Sequence, residues 1–578
     1  MGRALAAAQC TVSLQSGADN LMPTGAELFV DTIQSLGIDQ IFTLVGDHLN
    51  DVLPCAARRG IRILDMRHEA AVVHAADAWA RIHRLPSLSL VTGGPGHTNS
   101  LTGIATAMLT GSPVITVSGS RPAALAERGA FQDVDQVALA KPIVKWAGQP
   151  PSAAQIPFYL ARAAAEAMSG RSGTVHLTIP MEQFAAGVER AVPAAVLQER
   201  SPALPSTSDI DRAIELLRHA ERPVVIAGSG LWWARAEDDL RKFAERTSLP
   251  VFTITLGRGA LSDDHALAFG YADPALNRAA ARAFAEADVF LVIGKRFDFR
   301  LAMGGPRVVP ATAKVIQVDV HPAELGLNRR VDVAICADAG TTLRALTAAA
   351  GAHRWPWPSW LEHLQTLRAE WQDQLAAAAG ANGSLIHPAA LFFELRRVLP
   401  GNALYSWDGG DFTHWGRAIL PARIPGGWLR LGPLATIGAA LPNALALQLA
   451  HPGEPVVLFT GDGALGFYIA ELDTAVRHNL PIVAIVGNDA GWGIERELQG
   501  GTGTVGCELR RTRYDVVMQG FGGEAEEIHT LEQVAPALER AFAARRPYLL
   551  NVHIRGSRSP FTSWKLEGET SAPAPNSA

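Results

Sequence analysis

Residues Thr460–Leu472 read TGDGALGFYIAEL and follow the apolar run PVVLF. Glycines directly after a buried strand let backbone N–H groups approach a phosphate, and a following helix turns its positive end towards it. Asp462 stands between two of these glycines, where a bare carboxylate would repel a phosphate. A second apolar run, PIVAIV, ends in Gly487, Asn488 and Asp489. Strand, helix and strand make one βαβ unit, so both strands run the same way and both aspartates leave one edge of the sheet. Ligands of open α/β sheets bind at that edge. Two carboxylates there suit Mg²⁺, which takes oxygen ligands and can stand between a carboxylate and a diphosphate. The helix is expected to run unbroken through ALGFYIAELDTAVRHN. A GDG alone, in a chain with 54 glycines, would carry little weight; its setting carries the reading.

The elements that must hold these residues fall into three stretches of short apolar strands alternating with helices. In residues 22–192 the strands are DQIFTLVG, IRILDM, PSLSLVTG, SPVITVSG and GTVHLTI. In 210–350 they are RPVVIAGSG, PVFTIT, DVFLVIG and KVIQVDV, after a linker SPALPSTSD. In 388–556 they are ALYSWD, EPVVLFTG, PIVAIVGN and PYLLNVHI, after a second linker with the helix LEHLQTLRAEWQDQLAAAA. Such alternation implies parallel sheets covered on both faces. The expected fold class is α/β, with three successive doubly wound parallel-sheet domains. Only Gly228 and Gly230 of a dinucleotide fingerprint are present in GSGLWW, so a helix-packing turn is the better reading there. Residues 557–578 read as an extended arm whose Phe561 and Trp564 would close over the site.

Composition narrows the function. Hydrophobic residues are 48% and charged residues 19%, which suits a globular enzyme and argues against disorder. A net charge of −5 without a basic block argues against nucleic acid and anionic membranes as partners. Cys10, Cys55, Cys336 and Cys507 lie far apart with no CxxC, which argues against a zinc site or a disulfide framework and fits a reducing cytoplasm. No apolar stretch reaches membrane-spanning length. The first twenty residues lack the apolar core of a secretory signal and read as a ragged tail, with a transit peptide as the weaker alternative.

The GDG unit resembles the signature of thiamine-diphosphate enzymes, in which GDG is followed after a short helix by two Asn. Here Asp489 stands where the second Asn is commoner; it keeps an oxygen ligand and adds a negative charge. The resemblance implies metal ligation by Asp462, Asp489 and the backbone carbonyl of Gly491. It extends over about residues 22–555. DMRHEAAVVHAADAWAR is similar to the family's catalytic-glutamate motif and puts that glutamate at Glu69. TGGPGHTNSLTGIATAML is similar to its pyrimidine-side loop, with Pro95 and Asn99. WDGGDF and GPLATIGAALPNALA are similar to its diphosphate and aminopyrimidine contacts. These imply cofactor contacts by Gly409, Gly410, Asp411, Phe412, Ala435 and Ile437, beside Gly461, Gly463, Ala464 and Trp492. Ile437 would hold the cofactor bent, and the carbonyl of Ala435 would take an amine hydrogen bond. The family's domain order would be pyrimidine-binding (22–192), middle Rossmann-like (210–350), then diphosphate- and Mg²⁺-binding (388–556). Its cofactor serves as an electron sink once the thiazolium C2 proton has left, and a buried Glu69 would exchange a proton with the aminopyrimidine ring. Outside this setting Glu69 would be an ordinary first-turn glutamate. The resemblance also implies a site shared between subunits of a homodimer or homotetramer.

Substrate residues are expected at the same edges. LVGDHLNDVL puts Asp47 and His48 after a strand, and GAFQDVDQ brings Gln132. The His and Gln positions resemble benzaldehyde lyase, and Asp47 matches an acidic position of some 2-oxoacid decarboxylases. Glu495, after the metal-binding turn, is expected to shuttle a substrate hydroxyl proton with His48. The overall likeness is to the acetolactate-synthase-like group that includes 2-hydroxyacyl-CoA lyases. Leu498 falls near the position where acetolactate synthases carry a tryptophan. GKRFDFR in the middle stretch resembles both their flavin-contacting segment and that of lyases which bind a nucleotide there, so ADP, CoA or FAD remain open. The expected function is reversible C–C cleavage of a small-molecule 2-hydroxyacyl-CoA to an aldehyde or ketone and formyl-CoA. The alternatives are a 2-oxoacid decarboxylating carboligase, a benzaldehyde-lyase-type acyloin lyase, and a cofactor-binding paralogue without catalysis.

Overall fold

The computed structural model describes residues 22–194, 201–353, 355, 357–380, 383–500 and 503–570. The N-terminal tail reading therefore lies outside the described residues. Three six-stranded sheets follow one another along the chain, and every strand pair is parallel. The first holds β1 (Gln40–Leu44), β2 (Arg62–Asp65), β3 (Ser87–Val91), β4 (Val114–Ser120), β5 (Ala147–Gly148) and β6 (Val175–Pro180), in the order β2-β1-β3-β4-β6-β5. The second holds β7 (Pro223–Ala227), β8 (Val251–Thr253), β9 (Ala268–Tyr271), β10 (Val289–Ile293), β11 (Lys314–Asp319) and β12 (Val333–Cys336), in the order β12-β11-β10-β7-β8-β9. The third holds β13 (Leu404–Trp407), β14 (Trp428–Arg430), β15 (Val456–Gly461), β16 (Val483–Asn488), β17 (Glu524–Ile528) and β18 (Tyr548–His553), in the order β14-β13-β15-β16-β18-β17. The first and third sheets share one topology, while the second has the doubly wound dinucleotide-fold order. Each sheet reverses its winding beside its first strand, and crevices open at the carboxyl ends of such strands.

The first and third domains are joined by two helices that are buried almost all round. Glu69–His83 is buried from Glu69 to Arg81, and Ala440–Ala450 from Ala440 to Gln448. A helix without a solvent face belongs in an interior, and the alanines of both share one apolar core. Arg81 ties the three domains together. Its guanidinium donates to Asp77 Oδ2 (2.9 Å), the Arg430 carbonyl (2.7 Å) and Asn443 Oδ1 (3.3 Å), and its carbonyl accepts from Trp232 Nε1 (2.7 Å).

Two expectations are corrected. The helix after GDG is broken: Asp462–Leu465 and Glu471–Arg477 are separate, with a turn at Gly466–Ala470. The break lets Tyr468 lie edge-on between the rings of His68 and His74, 5.5 and 5.6 Å away, so the loop reaches the first domain. The C-terminal arm is a helix, Pro560–Thr570, rather than extended chain. Its aromatics stack elsewhere than over the GDG turn. Phe561 packs on His414 at 4.3 Å, and Trp564 lies beneath Arg307 at 3.7 Å.

Candidate active site

A cavity of about 140 Å³ opens at the carboxyl edge of the third sheet, between the turns after β13 and β15. Gly409, Gly410, Asp411 and Phe412 line it from the first turn, and Gly461, Asp462, Gly463 and Ala464 from the second. Ile437, Asp489, Gly491, Trp492 and Glu495 complete its wall. Ala435 is not among the lining residues; it holds a left-handed φ of 56° two residues before Ile437. Space is left open on the Cβ side of both Gly410 and Gly461, so a ligand can lie against bare backbone there. Gly463 is packed differently, since a Cβ would meet the Trp492 ring at 2.8 Å. Gly410 and Gly461 also precede the helices Asp411–Ile419 and Asp462–Leu465, whose first N–H groups favour an anion.

The electrostatics of this cavity call for a cation. Asp462 is 2% exposed, and Asp489 is mostly buried beside it. Burial first, and the charge of Asp489 second, push the Asp462 carboxyl up to about 7. Burial also raises Asp489, although Arg496 Nη1 lies 3.3 Å from its Oδ2. Gly491 N donates to Asp462 Oδ2 at 3.1 Å and fixes that side chain. A divalent cation held by these oxygens would offset the repulsion, and an all-oxygen donor set is what Mg²⁺ takes. The residues present therefore fit Mg²⁺ and a diphosphate.

Two buried carboxylates that lie within WDGGDF and TGDGALGFYIAEL, but were assigned no role there, position this cavity. Asp408 accepts from the N–H groups of Gly409 (2.8 Å) and Gly438 (2.9 Å) and from Thr460 Oγ1 (3.2 Å). It thereby locks three turns of the site together, and burial lifts its carboxyl to about 6. Glu471 accepts from Arg67 N at 3.1 Å and from Thr474 Oγ1 at 2.7 Å. It anchors the backbone just before the Glu69–His83 helix from across the chain, and burial pushes it up to about 7. Asn488, read with Asp489 as a pair, is committed inward, donating to Thr512 O and Asn551 Oδ1 at 3.1 Å each.

The first-domain candidates gather at the equivalent edge of their own sheet. Asn99 Nδ2 donates to Glu69 Oε2 at 3.0 Å, and Pro95 opens the helix that carries Asn99. Gly93 N donates to His48 Nδ1 at 3.1 Å, with Thr92 Oγ1 at 2.8 Å from the same nitrogen. Burial lowers the His48 pKa, so the ring is neutral with its proton on Nε2. Gln132, at a left-handed φ of 56°, packs over Gly94, and its Oε1 is buried without a partner among the described residues. Gln136, the last residue of GAFQDVDQ and given no role in the sequence reading, holds this loop by accepting from Gly94 N at 2.9 Å. Asp47 is exposed, 3.5 Å from Asn50 Nδ2. None of these residues lines the third-domain cavity of the same chain.

A larger cavity, about 220 Å³, opens at the winding reversal of the middle sheet. Ser229 and Gly230 line it after β7, Gly294, Lys295 and Arg296 after β10, and Asp319 after β11. A Cβ on Gly230 would come within 2.5 Å of Gly294 Cα, so these glycines let two turns touch.

Sequence comparison agrees with this architecture. Profiles described as the N-terminal TPP binding domain, the central domain and the C-terminal TPP binding domain of thiamine pyrophosphate enzymes match residues 23–139, 210–346 and 408–552. The chain belongs to the thiamine pyrophosphate enzyme family, within its acetolactate synthase and 2-hydroxyacyl-CoA lyase group. A probable acetolactate synthase of Mycobacterium bovis is 35% identical over 531 residues, covering 91% of this chain and 94% of that one. The 2-hydroxyacyl-CoA lyase 2 of Homo sapiens is 32% identical over 540 residues, covering 86% and 84%. The 2-hydroxyacyl-CoA lyase 1 of Mus musculus is 29% identical over 552 residues, covering 92% and 94%.

Glu471 gives a pH test. Its folded-state value lies above its ordinary 4.5, so its contribution to stability is complete below about pH 4.5 and lost as pH rises through about 7. Glu471→Gln keeps an oxygen acceptor for Arg67 N without the charge. Melting temperature followed from pH 4.5 to 7.5 should fall less steeply in the variant; an unchanged slope would contradict this assignment.

Proposed function

We propose that the protein is a thiamine-diphosphate- and Mg²⁺-dependent C–C lyase and carboligase that cleaves a 2-hydroxyacyl-CoA, reversibly, to an aldehyde or ketone and formyl-CoA. The thiamine diphosphate supplies an electron sink for the carbanion character that develops when the C–C bond breaks. Asp462, Asp489 and the carbonyl of Gly491 would hold Mg²⁺, and the N–H groups after Gly409 and Gly461 would bind the diphosphate. Phe412, Ile437, Trp492 and Ala464 shape the cavity around the ring system, with the Ala435 carbonyl as a hydrogen-bond acceptor. Asn99 orients Glu69, whose carboxyl would hold or pass a proton to the aminopyrimidine ring of the bound cofactor.

The observation that supports the lyase reading is the pair His48 and Gln132. A buried Gln132 oxygen with no donor among the described residues is suited to a substrate hydroxyl, since buried acceptors are nearly always satisfied. The His48 ring is fixed by Gly93 so that Nε2–H faces away from its anchor as a donor to a substrate oxygen. Glu495, exposed on the rim of the cavity, takes up the hydroxyl proton, and Asp47 adjoins His48 in the first domain. The second reading, a 2-oxoacid decarboxylating carboligase, is favoured by the likeness to the probable acetolactate synthase; acyloin cleavage of the benzaldehyde-lyase type would use the same two residues. The middle cavity, with its lysine and arginines beside Asp319, suits ADP or the nucleotide part of CoA, and FAD is the alternative. Three free cysteines, Cys55, Cys336 and Cys507, support a cytoplasmic location. Among the described residues no helix is long and apolar enough to cross a membrane.

Because Glu69 does not line the cavity of its own chain, we infer a homodimer or homotetramer in which a second copy contributes it. Mixing inactive Glu69→Gln with inactive Asp462→Ala should then restore activity. In a hybrid pair one site carries both lesions and the other neither, so full random exchange gives about a quarter of wild-type activity per site. No recovery after proven subunit exchange would contradict sharing. For the reaction itself, protein supplied with thiamine diphosphate and Mg²⁺ should release formyl-CoA from a 2-hydroxyacyl-CoA. Pyruvate decarboxylation without such cleavage would replace the lyase reading by the carboligase.

A further inference from the structure

We propose that Glu527, His529 and His553 form a second metal site, for a transition metal of the zinc class, at the outer edge of the third sheet. Glu527 lies on β17, and His529 directly follows the strand's last residue with its ring turned to the same side, Nε2 being 3.5 Å from Glu527 Oε2. Strand β17 pairs with β18 so that Glu527 stands opposite Asn551, which makes His553 a diagonal neighbour on that face. Glu527 Oε1 lies 2.7 Å from His553 Nε2, and Glu527 Oε2 lies 3.5 Å from His529 Nε2. The two imidazole rings are 4.4 Å apart. One donor atom from each residue lies within 4.8 Å of the others. Ligand atoms ~2 Å from a tetrahedral zinc stand about 3.3 Å from one another, so small side-chain movements close the set.

The surroundings favour occupancy. The side chains of Glu527 and His553 are 19% and 13% exposed, whereas His529 is half exposed and offers an entry path. Arg513 Nε is 3.3 Å from Glu527 Oε2, but Arg513 has a closer partner in Asp515, at 2.6 Å, and can stay there. Two neutral imidazoles and one carboxylate leave a fourth position for water. Such a set selects Zn²⁺, Ni²⁺ or Cu²⁺ over Mg²⁺, which prefers oxygen. The site is therefore chemically distinct from the Asp462–Asp489 pair, and none of its residues lines that cavity. The absence of paired cysteines bears only on thiolate sites. A metal here would clamp the edge strand β17 to β18 one residue before Ile554, which does line the cofactor cavity.

The test uses tag-free protein carrying thiamine diphosphate and Mg²⁺. Co²⁺ titration should produce the visible ligand-field absorption of a four-coordinate nitrogen and oxygen site, at one equivalent per chain, and Zn²⁺ should displace it. Zn²⁺ in excess, but not further Mg²⁺, should raise the melting temperature. His529→Ala, at an exposed position, should weaken Co²⁺ binding at least about tenfold while thiamine diphosphate binding stays unchanged, and Glu527→Gln should do the same. No Co²⁺ absorption in the wild type, or absorption unaffected by His529→Ala, would overturn the proposal and leave Glu527 and His553 as a simple ion pair.

Discussion

Two carboxylates buried side by side at a sheet edge are the constraint on which the site depends. Burial raises the proton affinity of both Asp462 and Asp489, the charge of Asp489 raises Asp462 further, and Arg496 and the Gly491 N–H offset only part of this. Removing charge from water is expensive unless it is neutralised. The proposed metal ion would resolve this, and it would also account for an acid standing where glycines invite a phosphate. Asp408 extends the same logic inward. Its buried carboxyl spends its hydrogen bonds on Gly409, Gly438 and Thr460, so the turns that must embrace a diphosphate are fixed to each other.

The placement of chemistry repeats across the chain. In each sheet the working turns follow the strands that flank the winding reversal: β1 and β3 carry His48 and Gly93, β7 and β10 carry Gly230 and Lys295, β13 and β15 carry Gly409 and Asp462. A cavity opens there in the second and third sheets. The Tyr468 turn and Glu471 then connect the third domain's phosphate loop to the first domain's Glu69 helix within one chain. If Glu69 serves the cavity of a second copy, each such loop touches one site at its start and supports another at its end.

The central strands were legible as continuous apolar runs because helices cover both faces. The strands that escaped are β5, β9, β12, β14 and β17, and β5, β12 and β17 are only partly buried along their length. All five lie at or next to an edge, where a strand is short or half solvated and loses the buried-run signal. The helix after GDG was read as one because its apolar period continues across the break at Gly466. At the site, spacing pointed to Asp462 and Asp489, and the family resemblance named further third-domain residues that line the same cavity, apart from Ala435. The roles of Asp408, Glu471 and Gln136 were not legible, since the partners that make them structural ties, Gly438 and Thr460, Arg67, and Gly94, lie in distant segments. The arm was misread because its fixing contacts, from Ser559 and Thr562 to Asp411, are likewise remote in sequence.

The central claim is that Glu69 activates a thiamine diphosphate held by the third domain. Exchange of the cofactor's C2 proton with deuterated solvent, quenched in acid and followed by NMR, measures that step alone. The account predicts fast exchange in the wild type and a rate about 10²–10⁴-fold lower in Glu69→Gln with cofactor still bound. Exchange at the wild-type rate in Glu69→Gln would contradict it.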